Sequence, residues 1–290
     1  MVAIIIKDMK NDNQSFIKLA NNELEVTLSP LGASIFRLQF LGQDMVLTPK
    51  NKEDYLLPYF YHGKTIGRLC GRILKNNKVI LHGGDDGIST KNFSYEQFDN
   101  KVIFEYTSKD GESNCPGNFF IRVTYELNEN RLTASYLALV DEPCLVSLTN
   151  HSYFCLRTKD VKKLFLRMNA DEYIVVDDRL LPVKMESVPK IWNFKKFKPL
   201  SKCGNIDNYF QLHEPFISLK SSKIQLDIFS NFTGTQIYTD NYIDNVQTLL
   251  TDGSTHRGVA IEPQDNQLHR KELKPGETYE KFITYTFKKL

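Results

Sequence analysis

The sequence has little that would point to a cofactor, a nucleic acid or a membrane. Its 290 residues contain no G-x-G-x-x-G, no G-x-x-x-x-G-K-[ST], no H-E-x-x-H and no G-x-S-x-G. That removes the usual signatures of dinucleotide binding, phosphate-loop nucleotide binding, zinc proteolysis and the serine-hydrolase elbow. Cysteine is scarce: Cys70, Cys115, Cys144, Cys155 and Cys203 are odd in number, widely spaced and free of any Cys-x-x-Cys. A disulfide framework and a structural zinc site are both excluded on that pattern, and a reducing, cytoplasmic location is expected. There is no excess of one charge either. Lys and Arg number 37 against 35 Asp and Glu, a net +2, so no basic field invites nucleic acid or an anionic membrane surface. The densest basic stretch, Lys195-Lys196-Phe197-Lys198, reads as a solvated loop face.

Long apolar runs are also missing. No segment approaches the ~20 residues that span a bilayer. The N-terminal run Met1-Val2-Ala3-Ile4-Ile5-Ile6 is followed at once by Lys7 and Asp8 and is too short for a signal peptide. No stretch keeps a 3.6-residue apolar period over three turns, so helices should be few and short. No linker or fixed-period repeat divides the chain, and one domain over residues 1–290 is expected.

What the sequence does have is strand texture, with an apolar fraction of 41% and a charged fraction of 25%, ordinary for a globular protein. Short β-branched and aromatic runs are punctuated by Asn, Asp and Gly. The runs 119–127 and 132–140 predict two strands joined by a three- or four-residue turn. The same texture recurs at 24–28, 101–107, 223–229, 235–238 and 281–287. Many strands imply sheets packed face to face or closed on themselves, an all-β fold. The least regular segment, 184–206, reads as a long connection lying near a site.

Three segments carry chemistry-bearing residues. Leu81-His82-Gly83-Gly84 places a histidine before two glycines, either an incidental turn residue or an imidazole left open to a ligand; Arg72, ten residues earlier, offers a forked donor. His151, in Thr149-Asn150-His151-Ser152-Tyr153-Phe154, is either a hydrogen-bonded core histidine or a functional one. Glu262 ends the apolar run of Gly258-Val259-Ala260-Ile261-Glu262-Pro263-Gln264. There it is either a salt-bridged strand-end residue or a carboxylate whose partial desolvation raises its pKa toward that of a useful base. No acidic or cysteine cluster accompanies His82 and His151 at ligand spacing, so no metal is expected.

Taken in order, these segments resemble the aldose 1-epimerase (galactose mutarotase) family over roughly residues 20–290. The series runs through Leu24 to Ser34, Thr65-Ile66-Gly67-Arg68 to Arg72, Leu81-His82-Gly83-Gly84 and Cys115-Pro116-Gly117. It continues through Thr149 to Phe154, Ile206-Asp207-Asn208-Tyr209-Phe210, Gln236-Ile237-Tyr238-Thr239, Ile261-Glu262-Pro263-Gln264 and Leu273 to Tyr279. The resemblance implies a large antiparallel β sandwich, the supersandwich of sugar mutarotases. It implies interconversion of the α and β anomers of a free hexose such as galactose or glucose, without cofactor or metal. It assigns Glu262 as general base and His151 as general acid at the ring oxygen, with His82 as the second active-site histidine. Arg72 and Asp207 would bind sugar hydroxyls, and Gln264 would face the pocket. The expected partner is a monosaccharide, with the chain a monomer or weak homodimer.

The sequence departs from the family pattern in four places. The segment between Arg72 and His82 is short, Asn208 stands where a His often follows the Asp, Pro263 replaces the usual Thr, and the stretch after Gln264 lacks the usual Pro-Asp. Two alternatives on the same scaffold are a hexose-6-phosphate mutarotase and a non-catalytic sugar-binding protein. The first needs charge-assisted donors at the pocket rim, and no distinctive basic pair stands beside the motifs. A glycosidase needs two carboxylates flanking the bond, and only Asp207 is available to partner Glu262.

Overall fold

The computed structural model describes residues 16–242, 246–250 and 255–290. The N-terminal run Met1 to Asp8, read above against a signal peptide, lies outside the described residues. The expected strands form, because alternation places apolar side chains on one face and polar ones on the other. In Phe119–Asn128, every second residue from Phe119 to Leu127 is buried. Its neighbour Arg131–Val140 buries Leu132, Ala134, Tyr136, Ala138 and Val140 in the complementary phase. The turn between them is tighter than the sequence suggests. Asn128 pairs with Arg131, leaving a two-residue loop with Glu129 at φ +50°, a left-handed geometry that suits the twist of a hairpin.

The main sheet is antiparallel and has thirteen strands. Its path runs Tyr153–Phe154, Val259–Gln264, Gly234–Tyr238, Asp207–Lys220, Ile224–Ser230, Tyr279–Lys289, Arg131–Val140, Phe119–Asn128, Lys101–Ser108 and Ser94–Gln97. A four-stranded sheet, Ile17–Ala20, Leu24–Ser29, Ser34–Phe40 and Gln43–Asp44, packs against it. One continuous core joins Val26, Leu28, Leu38 and Phe40 of the small sheet to Phe104, Ile121, Val123 and Phe287 of the large one. The Phe40 and Phe287 rings stack at 5.7 Å. This is the β sandwich that the family resemblance implies, one of the two arrangements that the strand texture leaves open. The one α-helix among the described residues is the single turn Lys52–Tyr55, and no described helix is long and apolar enough to cross a membrane. All five cysteines are buried free thiols.

One proline marks where a strand changes partner. Asp207–Lys220 pairs with Gly234–Tyr238 through its first five residues and with Ile224–Ser230 from Phe216 onward. Pro215 sits between the two pairings, where a missing N–H costs no ladder bond.

The irregular segment 184–206 is only partly a connection. Its start belongs to the strand Pro182–Ser187, paired with Phe165–Val176. Farther on, Trp192 Nε1 donates to the Cys203 carbonyl at 2.9 Å, and Trp192 and Phe194 pack their edges against the Phe210 ring. The segment caps a flank of the core, and none of its residues lines the pocket described below.

Candidate active site

Residues that stand directly opposite in an antiparallel pair leave the sheet on the same face, as do residues two apart along a strand. Those two rules build the pocket floor. Tyr209 opposes Gln236 and Gln236 opposes Glu262, forming one row across three strands. Two residues along, Asp207 opposes Tyr238, Tyr238 opposes Ala260 and Ala260 opposes Tyr153. Gly234 has no side chain to spare here. A Cβ on it would sit 2.2 Å from the Tyr209 hydroxyl, so the glycine lets the Tyr209 ring lie across the row.

Glu262 sits inside its strand, which runs through Pro263 to Gln264; the sequence reading had it at the end. Pro263 is tolerated because the neighbour on the far side, Tyr153–Phe154, pairs only with Val259 and Ala260.

The other wall comes from two loops. Thr149–Asn150 pairs with Thr65–Ile66. The His151 N–H then donates to the Lys64 carbonyl, and the Gly63 N–H to the His151 carbonyl, each at 3.0 Å. Asn150, fully buried, locks this corner. Its Nδ2 donates to the Gly63 carbonyl at 2.8 Å, and its Oδ1 accepts from the Ser152 N–H at 3.0 Å and the Ser152 hydroxyl at 2.6 Å.

His82 follows a minimal hairpin. Arg72–Lys75 and Lys78–Leu81 are joined by Asn76 and Asn77 alone, both at positive φ (+50° and +59°), as a tight primed turn requires. Arg72 opposes Leu81, so the short segment delivers His82 beside Gly71. The His82 N–H donates to the Gly71 carbonyl at 3.0 Å. The Gly71 N–H donates to His82 Nδ1 at 3.2 Å.

All six residues singled out in the sequence line one cavity of about 140 Å³: Arg72, His82, His151, Asp207, Glu262 and Gln264. The His151 Nε2 and Glu262 Oε1 atoms are 3.4 Å apart, with side chains 6% and 2% exposed. Burial pushes the His151 imidazole down to about 4, with the nearby Arg72 charge adding to the effect. Burial also lifts the Glu262 carboxyl well above its usual range; Asp207 adds to the rise and Arg72 opposes it. The His82 and His151 rings meet edge to face at 5.3 Å, and His82 too is held well below its ordinary value, chiefly by burial.

Beside the pair, Arg72 Nη2 faces Asp207 Oδ2 at 3.5 Å, and Gln236 Nε2 donates to Asp207 Oδ1 at 2.7 Å. The Cys70 thiol donates to Gln264 Oε1 at 2.6 Å. That bond orients the amide, leaving the buried Gln264 Nε2 without a hydrogen-bond partner among the described residues.

Spacing along the chain hides one juxtaposition. The nitrogens of His82 and His151 and a Glu262 oxygen lie within 4.8 Å of one another, so a carboxylate does join the two histidines in space. The donor set is nonetheless poor for a metal. A ligating imidazole carries its proton on the nitrogen away from the ion and donates it. His82 Nδ1 instead accepts from Gly71, which puts the proton on Nε2 and makes that atom a hydrogen-bond donor.

Several pocket residues escape a reading by motif. Gln236 and Tyr238 fall within a quoted motif, but nothing in it gives them a role; their alternation on one strand was the available signal. Tyr61, whose ring lies edge-on to His82 at 4.8 Å, and Gln267 carry no such signal. The Gly67-Arg68 and Cys115-Pro116-Gly117 motifs prove structural. Buried Arg68 donates to the Pro116, Gly117 and Lys109 carbonyls and to the Ser108 hydroxyl.

Comparison with known proteins agrees with this architecture. The chain is 27% identical over 320 residues to the galactose mutarotase of Mus musculus, with 93% of each chain covered. It is 27% identical over 326 residues to the aldose 1-epimerase of Escherichia coli (strain K12), covering 93% of this chain and 94% of that one. Among solved structures, an aldose epimerase homologue from C. elegans superposes with a TM-score of 0.86 at 27% identity, covering 95% of this chain and 99% of that one. A galactose 1-epimerase from Lactobacillus acidophilus NCFM gives 0.85 at 26% identity, with 98% of each chain covered. The family model described as aldose 1-epimerase matches residues 15–286, and the chain belongs to that family.

Proposed function

We propose that this protein is a cofactor-independent aldose 1-epimerase that interconverts the anomers of a free hexose, with Glu262 and His151 as its proton-transfer pair. The observation that carries this is the buried 3.4 Å contact between the two groups, on the floor of a pocket edged by polar side chains. Ring opening needs a base at the anomeric hydroxyl and an acid at the ring oxygen, each worth roughly 10²–10⁴-fold when positioned. Glu262 takes the hydroxyl proton, His151 delivers its proton to the ring oxygen, and the C1–O bond breaks. C1 then rotates, and the two transfers reverse on the other face.

The burial of both groups fits this cycle. The pair holds one proton. Before ring opening it is an ion pair, carboxylate and imidazolium; with the open-chain aldehyde bound it is a neutral acid and a neutral imidazole. Desolvation favours the neutral forms of both groups, as their shifts indicate. The site is therefore biased toward the protonation state that accompanies the open chain, the high-energy species of the reaction.

His82, with its proton on Nε2, supplies a neutral donor to a sugar oxygen. Asp207, held by Gln236 and Arg72, supplies acceptors for hydroxyls. Arg72 is the one basic side chain among the described lining residues other than the histidines, and it already faces Asp207. That favours an unphosphorylated sugar, because a phosphate needs charge-assisted donors.

Polarimetry of purified protein with freshly dissolved α-D-glucose and α-D-galactose tests the proposal. Mutarotation should be accelerated well above the buffer rate, and Glu262→Gln should lose at least about 100-fold of that. No acceleration by the wild type, or full activity in Glu262→Gln, would overturn it.

A further inference from the structure

We infer that Gln267 is a specificity-determining residue of this pocket, a carboxamide that reads one sugar hydroxyl and is admitted by the absence of a side chain at Gly71. The inference rests on the sugar-binding role proposed above. An ideal Cβ on Gly71 would lie 2.7 Å from Gln267 Nε2, 2.8 Å from Cδ and 2.9 Å from Oε1. All three carboxamide atoms are nearly equidistant from that point, so the amide lies broadside over the Gly71 backbone. Both residues line the cavity, next to Arg72 and His82.

The loop that carries Gln267 is pinned on either side. Asp265 pairs with Lys281 at 3.0 Å. Asn266, 7% exposed, donates from its N–H to Thr233 Oγ1 at 3.3 Å and from Nδ2 to Gln211 Oε1 at 3.1 Å. Its Oδ1 accepts from the Leu268 N–H at 2.9 Å. None of these bonds uses the Gln267 carboxamide. The backbone is fixed, and the carboxamide lies against Gly71 in the lining of the cavity. A polar group pre-positioned in this way discriminates against a substrate lacking its partner, because the group is then left unpaired. Gly71, at φ +76°, is in the left-handed region that suits glycine and leaves the place the amide occupies.

The test compares kcat/KM for the parent hexoses and their 2-, 3-, 4- and 6-deoxy forms, all of which keep the anomeric hydroxyl and ring oxygen. Wild-type protein should disfavour one deoxy form by roughly fivefold, the worth of one neutral hydrogen bond. Gln267→Ala should treat that form and its parent alike, within about twofold, while other deoxy ratios stay put. Gly71→Ala, whose methyl displaces the amide, should abolish the same discrimination, and the double variant should discriminate no less than Gln267→Ala alone. An unchanged set of ratios in Gln267→Ala, or a uniform loss on every sugar, overturns the inference. Should the wild type accelerate no aldose, the epimerase proposal falls, and calorimetric Kd ratios for the same sugars decide the role of Gln267 by the same criterion. Absence of binding as well overturns both.

Discussion

His151 and Glu262 meet at 3.4 Å from adjoining elements, the imidazole on a loop tied to Gly63 and Lys64 and the carboxylate on a strand buried at every position. The two are also tied to each other, because Tyr153 and Phe154, just after His151, pair with Ala260 and Val259 of the strand that bears Glu262. The contact is built by the fold around it, as expected of a preorganised proton-transfer pair.

The pH dependence of turnover follows from that pair. With His151 held at about 4 and Glu262 raised well above 4.5, the pair gains a second proton only as pH falls to His151's value. It loses its single proton only as pH rises past Glu262's. The acid limb of kcat/KM should therefore centre near pH 4, with no break near the 6.5 of a free imidazole. A limb centred at roughly 6 to 7 would show that His151 titrates as an exposed histidine.

Stability should respond in the opposite sense to activity when the carboxylate is removed. In the folded state Glu262 keeps a proton that the unfolded chain releases above about 4.5. Its burial therefore costs progressively more stability as pH rises from there through the folded value. The His151 contribution, lost as pH falls from 6.5 through about 4, is common to wild type and variant in a comparison of the two. Glu262→Gln should thus raise Tm at about pH 8 and by less at about pH 5, while abolishing turnover. Melting curves in which the Tm difference does not change with pH would refute this linkage.

Asn150 should matter to both. Its amide joins the Gly63 carbonyl, the Tyr125 hydroxyl and both Ser152 donors, all in a fully buried corner. Asn150→Ala leaves several of those groups unpaired, at about 1–3 kcal/mol for a buried orphan. We expect a loss of about 2–3 kcal/mol in urea unfolding and a fall in kcat of tenfold or more, since His151 is the next residue. A folded variant with wild-type kcat would show that the corner does not position the imidazole.

The strands were legible because period-two burial needs only local sequence, as in Phe119–Asn128. What failed was local too. The hairpin loop proved to be two residues because Asn128 and Arg131 continue the ladder, and Lys184 and Glu186, which make 184–206 look like loop, are exposed side chains pairing at 2.7 Å along an edge strand. In the site, Glu262 and His151 were each ambiguous alone, because a buried titratable group is compatible with core or catalysis until its neighbour is known. Gln236 was readable in principle, one row across from Glu262. Gln267 was not: its position depends on a cross-loop packing against Gly71 that no periodicity encodes.

A buried ion pair ties the described ends of the connection between the strands Gly234–Tyr238 and Val259–Gln264. Arg257 and Asp240 are 1% and 3% exposed. The Asp240 carboxylate accepts from Arg257 Nε at 2.8 Å, Nη2 at 3.1 Å and the Arg257 N–H at 3.0 Å, while Nη1 reaches the Val246 carbonyl at 2.7 Å. Every one of these bonds joins chain that leaves the strand Gly234–Tyr238 to chain that enters the strand Val259–Gln264, so the pair sets the entry angle of the strand bearing Glu262. Removing one partner strands the other charge where water cannot reach it, which costs about 3–5 kcal/mol. Arg257→Met and Asp240→Asn should each lose stability on that scale in urea unfolding; Asn is the appropriate replacement because position 240 holds φ +52°, which Asn tolerates. The double variant strands no charge and should lose clearly less than the two single losses added together. Strict additivity would mean that the two side chains stabilise the fold through their other contacts, and that the charge pairing itself contributes nothing.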